Sequence, residues 1–433
     1  MTLSVQAPNL MRVESAGDPA EQAISRARLL DNKLHAFVDI LPQAAPTLPG
    51  PLGGLPYALK DLANTRGRAP SLGLAFPPNP AADVDAAVVS RMAQAGARLI
   101  GFTTMTELAY EPSGANAARG RAINPWQADH ICGGSSSGSA VAVAAGIVPV
   151  ALGSDTGGSL RIPAHCCGVS AWKPSIGLVP AAGTMTLAGS LDCLGFVGRS
   201  VADLAAVAQV FTPPAASAPI TRIAVARDVT GECDRDIALA VQDMEGVLAS
   251  IGITRAPTAL LPLIAACDPP VMTLMQGEAA REMRPLMGSG RLDRVMQARL
   301  AKGVDITDAQ LTAARATLAD LGRTMFADML GTADAVLLPV MRIRTPHVAV
   351  CEPGTPHFSP RTLYQLSALT RWVNGLGLPA VAIPVGLDSG GLPIAVQLVG
   401  RPGQDAALLA LAAEIQKHSE WHLRMPGFLG VSA

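Results

Sequence analysis

Two glycine-rich loops that carry serines lie within one short stretch of the sequence, residues 132–163. The first loop, GGSSSGS, spans residues 133–139, and the second, GSDTGGS, spans residues 153–159. An uncharged run rich in Ala and Val, residues 140–152, joins them. Gly/Ser-rich segments are commonly linkers, but a linker does not enclose an apolar run of this length, which would be insoluble if exposed. We therefore interpret the stretch as a built site whose serines do chemistry.

Ser159 is the first candidate nucleophile, because it closes the loop that follows a predicted strand at 148–152. The successive N–H groups of Thr156, Gly157, Gly158 and Ser159 can all point inward and form an anion-binding nest. Such donors would stabilise the negative oxygen that develops when a serine attacks a carbonyl group. The predicted chemistry is acyl transfer, with an oxyanion hole built into the loop.

A serine nucleophile needs a base, and Lys60 is the candidate. It ends the apolar segment LPYALK, residues 55–60, so its side chain would emerge from a buried strand. A lysine at a strand end is most often a surface residue. However, a partly desolvated lysine has a lowered pKa and can act as a general base. A serine of the first loop could then relay a proton between Lys60 and Ser159.

A second candidate nucleophile is Ser136, because residues 134–138 match the nucleophile-elbow pattern G-x-S-x-G. That arrangement needs a strand directly before the loop, together with an Asp and a His further along the chain. Residues 124–132 contain a turn instead of a buried strand. We therefore favour Ser159 over Ser136.

The composition favours one large globular domain. The chain has 433 residues, of which 49% are hydrophobic and 15% charged, so it can bury a sizeable core. A net charge of −1 gives no electrostatic reason to expect nucleic acid or an anionic membrane as partner. Neither a membrane span nor a secretion signal is expected. The cysteine pattern described next predicts a cytoplasmic protein. The seven cysteines are scattered without CxxC spacing, so we expect reduced thiols and no metal site.

Helices and strands alternate along the sequence, with glycines between them, and this pattern predicts an α/β protein without internal repeats. A helical turn is expected at 105–110. The predicted helices are 18–33, 83–96, 137–145, 201–211, 234–250, 307–329, 363–372 and 406–417. The predicted strands are 35–40, 55–60, 97–102, 148–152, 222–226, 333–339, 379–385 and 393–399.

These motifs, in this order, resemble the amidase signature family. The resemblance rests on GGSSSGS and GSDTGGSLRIP, and it continues through LPYALKD, GARLIGFTTMTELAY, KPSIGLVP, SLDCLGFVGRSVADL, GLPAVAIPVG and GLPIAVQLVGRPGQDAALL. It implies a single α/β/α domain over residues 1–433, with a mixed central sheet covered by helices. The signature core would span about 55–200, a variable substrate-side region about 212–360, and a C-terminal sheet and helix segment about 361–433.

The resemblance also implies a Ser–cis-Ser–Lys triad. By position, Ser159 is the nucleophile, Ser135 the bridging serine after a cis peptide bond from Gly134, and Lys60 the base. Neutral Lys60 would take a proton from Ser135, which takes one from Ser159. No cofactor and no metal is required. Ser137 replaces a glycine that is common in the family's first loop, which affects loop flexibility and not the triad.

The expected substrate is a small neutral carboxamide. Residue 162 is Ile, whereas malonamide-type relatives that bind a substrate carboxylate carry an arginine there. Tyr110, Gly134, Ile162 and Met185 are the predicted substrate contacts. Ser136 and Asp155 are expected to support the two loops through hydrogen bonds. The predicted reaction converts the amide to a carboxylate plus ammonia or an amine through a seryl acyl-enzyme.

Other functions stay open. The chain could be the A subunit of a glutamyl-tRNA amidotransferase complex, although its length is rather short for that role and it shows no basic patch. It could also be a urea- or biuret-type amidohydrolase that works with a small partner protein. Loss of Lys60, Ser135 or Ser159 would be expected in a non-catalytic relative, and all three are present. The expected partners are a small-molecule amide and a second copy of the chain, without direct contact to nucleic acid or a membrane.

Overall fold

The computed structural model describes residues 17–212, 218–325 and 330–427. Over these ranges a single sheet of eleven strands runs through the molecule. The strands are β1 Phe37–Ile40, β2 Pro56–Lys60, β3 Arg98–Thr103, β4 Val150–Asp155, β5 Ser170–Lys173, β6 Cys193–Gly198, β7 Arg222–Ala226, β8 Thr254–Thr258, β9 Ala335–Pro339, β10 Ala380–Leu387 and β11 Pro393–Gly400. Their spatial order is β1-β3-β2-β4-β6-β5-β10-β11-β9-β7-β8.

The sheet is mixed, as expected. β2 runs parallel to both β3 and β4, and β7 runs parallel to both β8 and β9. The central strands β4, β6, β5, β10, β11 and β9 pair antiparallel in succession. Parallel neighbours require long crossover connections, whereas antiparallel neighbours can be joined by short turns. The strands between residues 55 and 200 therefore show both kinds of pairing.

Helices cover the sheet on both faces. They are α1 Pro19–Leu34, α2 Ala87–Gln94, α3 Ser137–Ala144, α4 Arg161–Cys167, α5 Val201–Ala208, α6 Arg227–Gly231, α7 Arg235–Ser250, α8 Leu261–Glu282, α9 Arg294–Ala301, α10 Asp308–Thr324, α11 Val348–Cys351, α12 Pro360–Gln365, α13 Arg371–Gly375 and α14 Asp405–Lys417. None of these helices has the length and apolar character needed to cross a bilayer.

Neighbouring residues of one strand enter different apolar cores, which shows that both faces of the sheet are buried. In β4, Val150 and Leu152 belong to one core and Ala151 to another. In β10, Val381 packs into the first core and Ala382 into the second. Successive side chains of a strand point to opposite faces. The predicted single α/β/α domain with a mixed sheet is confirmed.

Several predicted elements differ from the observed ones. The helix predicted at 363–372 is wrong: α12 ends at Gln365, and α13 begins only at Arg371. Helix α8 was not predicted, because Pro269 and Pro270 lie inside it and proline removes a helix hydrogen bond. The helix predicted at 307–329 is α10 as far as Thr324, and its last residues, 326–329, lie outside the described residues.

The sheet brings the two candidate loops and Lys60 together at one edge. β2 and β4 are parallel neighbours, with Leu59 beside Leu152, so their carboxyl ends lie side by side. Lys60 is the last residue of β2, and the second loop leaves β4 after Asp155. Helix α3, which begins at Ser137, packs against β4 and places the first loop at the same edge. Chain topology thus assembles residues that are far apart in sequence.

Candidate active site

Lys60 lies at the centre of a cluster of serine hydroxyls. Its side chain is fully buried at the end of β2. Its Nζ donates hydrogen bonds to the Oγ atoms of Ser135 at 2.7 Å, Ser154 at 2.8 Å and Ser136 at 3.1 Å. These three acceptors are uncharged, and within the ranges that the structure describes no carboxylate contacts the amine directly. Ser154 was not predicted from the sequence as a partner of Lys60.

The surroundings of Lys60 favour its neutral form. Burial lowers the pKa of Lys60 to about 7, while the negative charges of Asp155 and Asp192 act in the opposite direction. A buried ammonium loses its hydration, and three neutral hydroxyls do not replace it fully. Near neutral pH a large fraction of the molecules therefore carries an amine that can accept a proton.

Ser135 is buried in a tightly held loop. The peptide bond between Gly134 and Ser135 is cis, as the resemblance implies. The N–H of Gly134 donates to the carbonyl oxygen of Pro112 at 2.8 Å. A Cβ atom at Gly134 would lie 2.7 Å from the carbonyl oxygen of Glu111, so a larger residue does not fit there. The loop holds the Ser135 hydroxyl against Lys60.

Ser159 lies where the second loop meets open space. It is 9% exposed and lines a cavity of about 620 Å³. The two loops are joined through the backbone, because the N–H of Ser136 donates to the carbonyl oxygen of Ser159 at 3.2 Å. Within the described ranges no hydrogen bond joins the Ser135 and Ser159 hydroxyls. Catalytic hydrogen bonds are often long in enzymes without substrate and shorten when it binds.

The predicted oxyanion hole needs one correction. The N–H of Gly158 donates to Asp155 Oδ1 at 2.7 Å, and a backbone N–H has only one proton to give. Gly158 is therefore not a free donor in this structure. The N–H groups of Thr156, Gly157 and Ser159 make no hydrogen bond to any residue that the structure describes. Three of the four predicted donors are left for an oxyanion.

Replacing Gly158 by alanine is expected to reduce kcat/KM by about 10-fold to 100-fold, because a displacement of about 1 Å in a catalytic loop costs that much. Gly158 has φ +130°, and a Cβ atom there would lie 2.2 Å from Thr370 Oγ1, which donates to the carbonyl oxygen of Gly157. Steady-state kinetics on a hydrolysed amide measures the effect. Gly67→Ala is the matched control, because Gly67 also has positive φ but no atom within 4 Å of a Cβ. An unchanged rate in the Gly158 variant would contradict this tight fit.

Two of the four predicted substrate contacts line the cavity together with Ser159. Tyr110 and Ile162 form part of its wall. Met185 instead lines a neighbouring cavity of about 290 Å³, which adjoins the larger one. Gly134 lines neither cavity, because it is packed inside the first loop. Of the four predicted contacts, two therefore line the larger cavity, one lines the smaller cavity and one lies inside the first loop.

Comparison with known proteins gives the family. The family model described as Amidase matches residues 20–409, which is most of the chain. The chain belongs to this family. It is 31% identical over 471 residues to the A subunit of the glutamyl-tRNA(Gln) amidotransferase of Symbiobacterium thermophilum, and the match covers 95% of each protein. The 471 aligned positions exceed the 433 residues of this chain, so the alignment includes positions at which that relative has residues that this chain lacks.

Solved structures agree with this assignment. The crystal structure of an amidase superposes with a TM-score of 0.83 at 29% identity, covering 93% of this chain and 96% of that one. The 6-aminohexanoate cyclic dimer hydrolase, in complex with its substrate, gives a TM-score of 0.83 at 26% identity and 95% coverage of each chain. The amidase described here is thus an enzyme that acts on amide C–N bonds.

Asp155 supports the second loop of this amidase, as expected. Its carboxylate accepts hydrogen bonds from the N–H groups of Gly158 and Leu160 and forms a buried ion pair with Arg161 at 2.9 Å. Burial raises the pKa of Asp155, but the charge and hydrogen bonds of Arg161 outweigh burial and lower it to about 2. Ser136 supports the loops too, since its Oγ accepts from the N–H of Ser154 at 3.2 Å. Both expectations are confirmed.

Asp192 is a buried acid that the sequence analysis missed. Its Oδ1 accepts a hydrogen bond from Thr156 Oγ1 at 2.7 Å, and its Oδ2 accepts from the N–H groups of Leu187 and Ala188. Burial raises the pKa of Asp192 to about 6, although these hydrogen bonds act against it. The residue anchors Thr156, one of the three free donors. The signal was the acid within the matching segment SLDCLGFVGRSVADL.

Proposed function

We propose that this amidase hydrolyses a small carboxamide through an acyl-enzyme on Ser159, with Ser135 as proton relay and Lys60 as base. The observation that supports it most is the buried contact of 2.7 Å between Lys60 Nζ and Ser135 Oγ, along which a neutral amine can accept the Ser135 proton through its lone pair. The loop that carries Ser135 is joined through the backbone to Ser159, which lines the large cavity. Base, relay and nucleophile thus follow one another from the buried strand end toward the substrate space.

In the proposed reaction, neutral Lys60 accepts the Ser135 proton while Ser135 accepts the Ser159 proton, and Ser159 Oγ attacks the carbonyl carbon. The N–H groups of Thr156, Gly157 and Ser159 stabilise the oxyanion. Ser135 then protonates the leaving nitrogen, the C–N bond breaks, and ammonia or an amine departs. Water attacks the acyl-enzyme through the same relay, the ester bond to Ser159 breaks, and the carboxylate product leaves.

The proposed substrate is uncharged next to the reacting carbonyl. Ile162 is 1% exposed and lines the cavity together with Ser159. A substrate carboxylate against Ile162 would be buried without a cation, which costs several kcal/mol. A short half-amide, whose carboxylate lies close to the reacting amide, should therefore be hydrolysed slowly.

A screen of simple amides, anilides, hydrazides and ureas, read out by ammonia or amine release, tests the proposed function. Neutral amides are expected to exceed short acidic half-amides roughly 100-fold or more in kcat/KM. Ile162→Arg should narrow or invert this preference and keep reactivity with a fluorophosphonate. Leu239→Arg is the control for added charge, because Leu239 is exposed and outside the cavity. If the unmodified enzyme hydrolysed the short half-amide as fast as the neutral amide, or faster, the proposal that the substrate is uncharged beside Ile162 would be contradicted.

We propose that the three expected segments of the chain contribute different parts of the enzyme. The segment of about 55–200 carries Lys60, Ser135 and Ser159, while helices α8 and α9, from the segment of about 212–360, contribute walls of the cavity. The C-terminal segment of about 361–433 adds β10, β11 and α14 to the sheet and its cover, and it also lines the cavity with Leu363, Tyr364, Ser367 and Arg371. Substrate preference would then depend on α8, α9 and these C-terminal residues.

A second candidate function is favoured by one observation, the 31% identity to the A subunit of the amidotransferase over 95% of that protein. In that function the chain would act within a complex. Co-purification with other subunits at native expression level distinguishes the two functions. A urea- or biuret-type reaction with a small partner protein is tested by the same purification. The homodimer and the cytoplasmic location stay predictions. Sedimentation of the purified chain tests whether it forms a homodimer.

A further inference from the structure

The cavity that contains Ser159 is more positive than the rest of the protein. Among the described residues, its lining includes four cationic side chains and a single acidic one, Glu111. The whole chain has a net charge of −1. The cations are Arg294, Arg299, Lys302 and Arg371. Composition alone does not produce this excess of positive charge.

The spacing within helix α9 explains why its cations face the cavity. Arg294, Ala298 and Lys302 follow one another at intervals of four, and all three line the cavity. Residues four apart lie on the same face of a helix. Met296 and Leu300 lie on another face and are buried in the apolar core. The core contacts of α9 thus orient its basic face toward the substrate space.

Three of the four cations make no ion pair with a described residue, and two of these, Arg294 and Lys302, make no side-chain hydrogen bond to one either. Arg371 is bound to Asp268, and Arg299 donates to the carbonyl oxygen of Tyr110. Glu111 does not pair with a cation directly, since its carboxylate accepts the N–H groups of the residues that follow it, at 113–115. Over the described part of the chain, Arg294 and Lys302 make no ion pair.

Uncharged side chains line the cavity together with the nucleophile. These are Ile162, Leu187 and Met275, and the one cation close to the second loop, Arg371 beside Gly157, is already bound to Asp268. A volume of about 620 Å³ lies within the range of pockets that hold drug-sized ligands. The cavity therefore has room for a chain that meets uncharged side chains beside the second loop and the cations Arg294 and Lys302 on α9.

We propose that this amidase prefers amides whose acyl chain ends in an anionic group, which pairs with Arg294 and Lys302 while the amide meets Ser159. The inference rests on the proposed function and deepens it. The substrate is uncharged where it contacts Ile162 and negatively charged at its far end. Only an acyl chain long enough to reach α9 can satisfy both conditions.

The test compares two series of primary amides of increasing acyl length, one ending in a methyl group and the other in a carboxylate. At low ionic strength, the long carboxylate-terminated amide should exceed its methyl-terminated partner about tenfold in kcat/KM, since two exposed ion pairs contribute modestly. The short carboxylate-terminated amide should stay poor. Added salt should reduce the advantage, because exposed charges are screened.

Variants assign the effect to α9. In Arg294→Gln/Lys302→Gln the ratio of the two rates should fall to about one, and in Arg294→Glu/Lys302→Glu it should fall below one. Arg284→Gln is the matched control, because Arg284 is exposed and does not line the cavity; its ratio should not change. The inference is overturned if neutral amides react and no length shows an advantage, or if the double glutamine variant keeps it. If neither series reacts and a fluorophosphonate does not label Ser159, the proposed function fails as well.

Discussion

Ser159→Ala is expected to abolish amide hydrolysis, with a fall in kcat of roughly 10⁴-fold or more. The proposed mechanism forms a covalent bond to Ser159 Oγ, and alanine has no atom that can form this bond. The variant should fold normally. The Ser159 hydroxyl makes no hydrogen bond to any described residue, so its removal leaves no buried partner unsatisfied.

Two measurements separate the loss of chemistry from the loss of structure. Thermal unfolding of Ser159→Ala should stay close to that of the unmodified enzyme, while amide turnover disappears. A fluorophosphonate should add its mass to Ser159. Tandem mass spectrometry is required, because Ser136 and Ser159 lie in one tryptic peptide, residues 122–161. More than a few per cent of activity in Ser159→Ala would reject Ser159 as the nucleophile. Labelling at Ser136 would also reject it and would support the nucleophile-elbow arrangement of residues 134–138.

Much of the candidate site could be predicted because its parts are local in sequence. Ser135 and Ser159 lie in one contiguous stretch, whose apolar run becomes α3 and β4. Lys60 was recognisable because an apolar strand ends in it, and parallel pairing of β2 with β4 brings it to the same edge. These signals depend on residue type and short-range order, which a sequence displays directly.

The partners that tune the site could not be predicted in the same way. The contact of Ser154 with Lys60 depends on how β4 and β2 lie side by side. The hydrogen bond from Gly158 to Asp155 reflects the path of the loop, which no residue pattern specifies. The buried position of Asp192 follows from packing against residues on the second loop. Burial changes the chemistry of such groups, and burial is a property of the folded chain.

Strands β5 and β6 and helix α8 are among the elements that the sequence analysis missed, and they were missed for related reasons. β5 and β6 are buried along their whole length, so they lack the alternation of apolar and polar residues that marks a half-buried strand. β6 also contains Gly195, which weakens the strand signal. Helix α8 contains Pro269 and Pro270, which ordinarily predict a break. Tertiary packing outweighs local preference in all three elements.

Lys60 should give hydrolysis a characteristic pH dependence. The proposed base is the neutral amine, and burial lowers the pKa of Lys60 to about 7. Below that pH the lysine is protonated and kcat/KM should fall about tenfold for each pH unit; above it the rate should level off. Lys60→Arg should be nearly inactive at every pH, because a guanidinium does not lose its proton. An acid optimum, or a fully active Lys60→Arg, would contradict the proposed base.

The same pKa shift predicts a change in stability that does not depend on activity. In the unfolded chain a lysine has a pKa of about 10.4, well above the value of about 7 for folded Lys60. Between these two pH values the unfolded chain binds a proton that the folded chain does not, so the free energy of unfolding rises with pH. In Lys60→Met this contribution is absent, and its stability relative to the unmodified enzyme should fall as pH rises from about 7 to about 10. Denaturant unfolding of both proteins across that window measures the difference. Parallel curves would mean that Lys60 stays charged in the folded enzyme, and the proton relay through Ser135 would then lack its base.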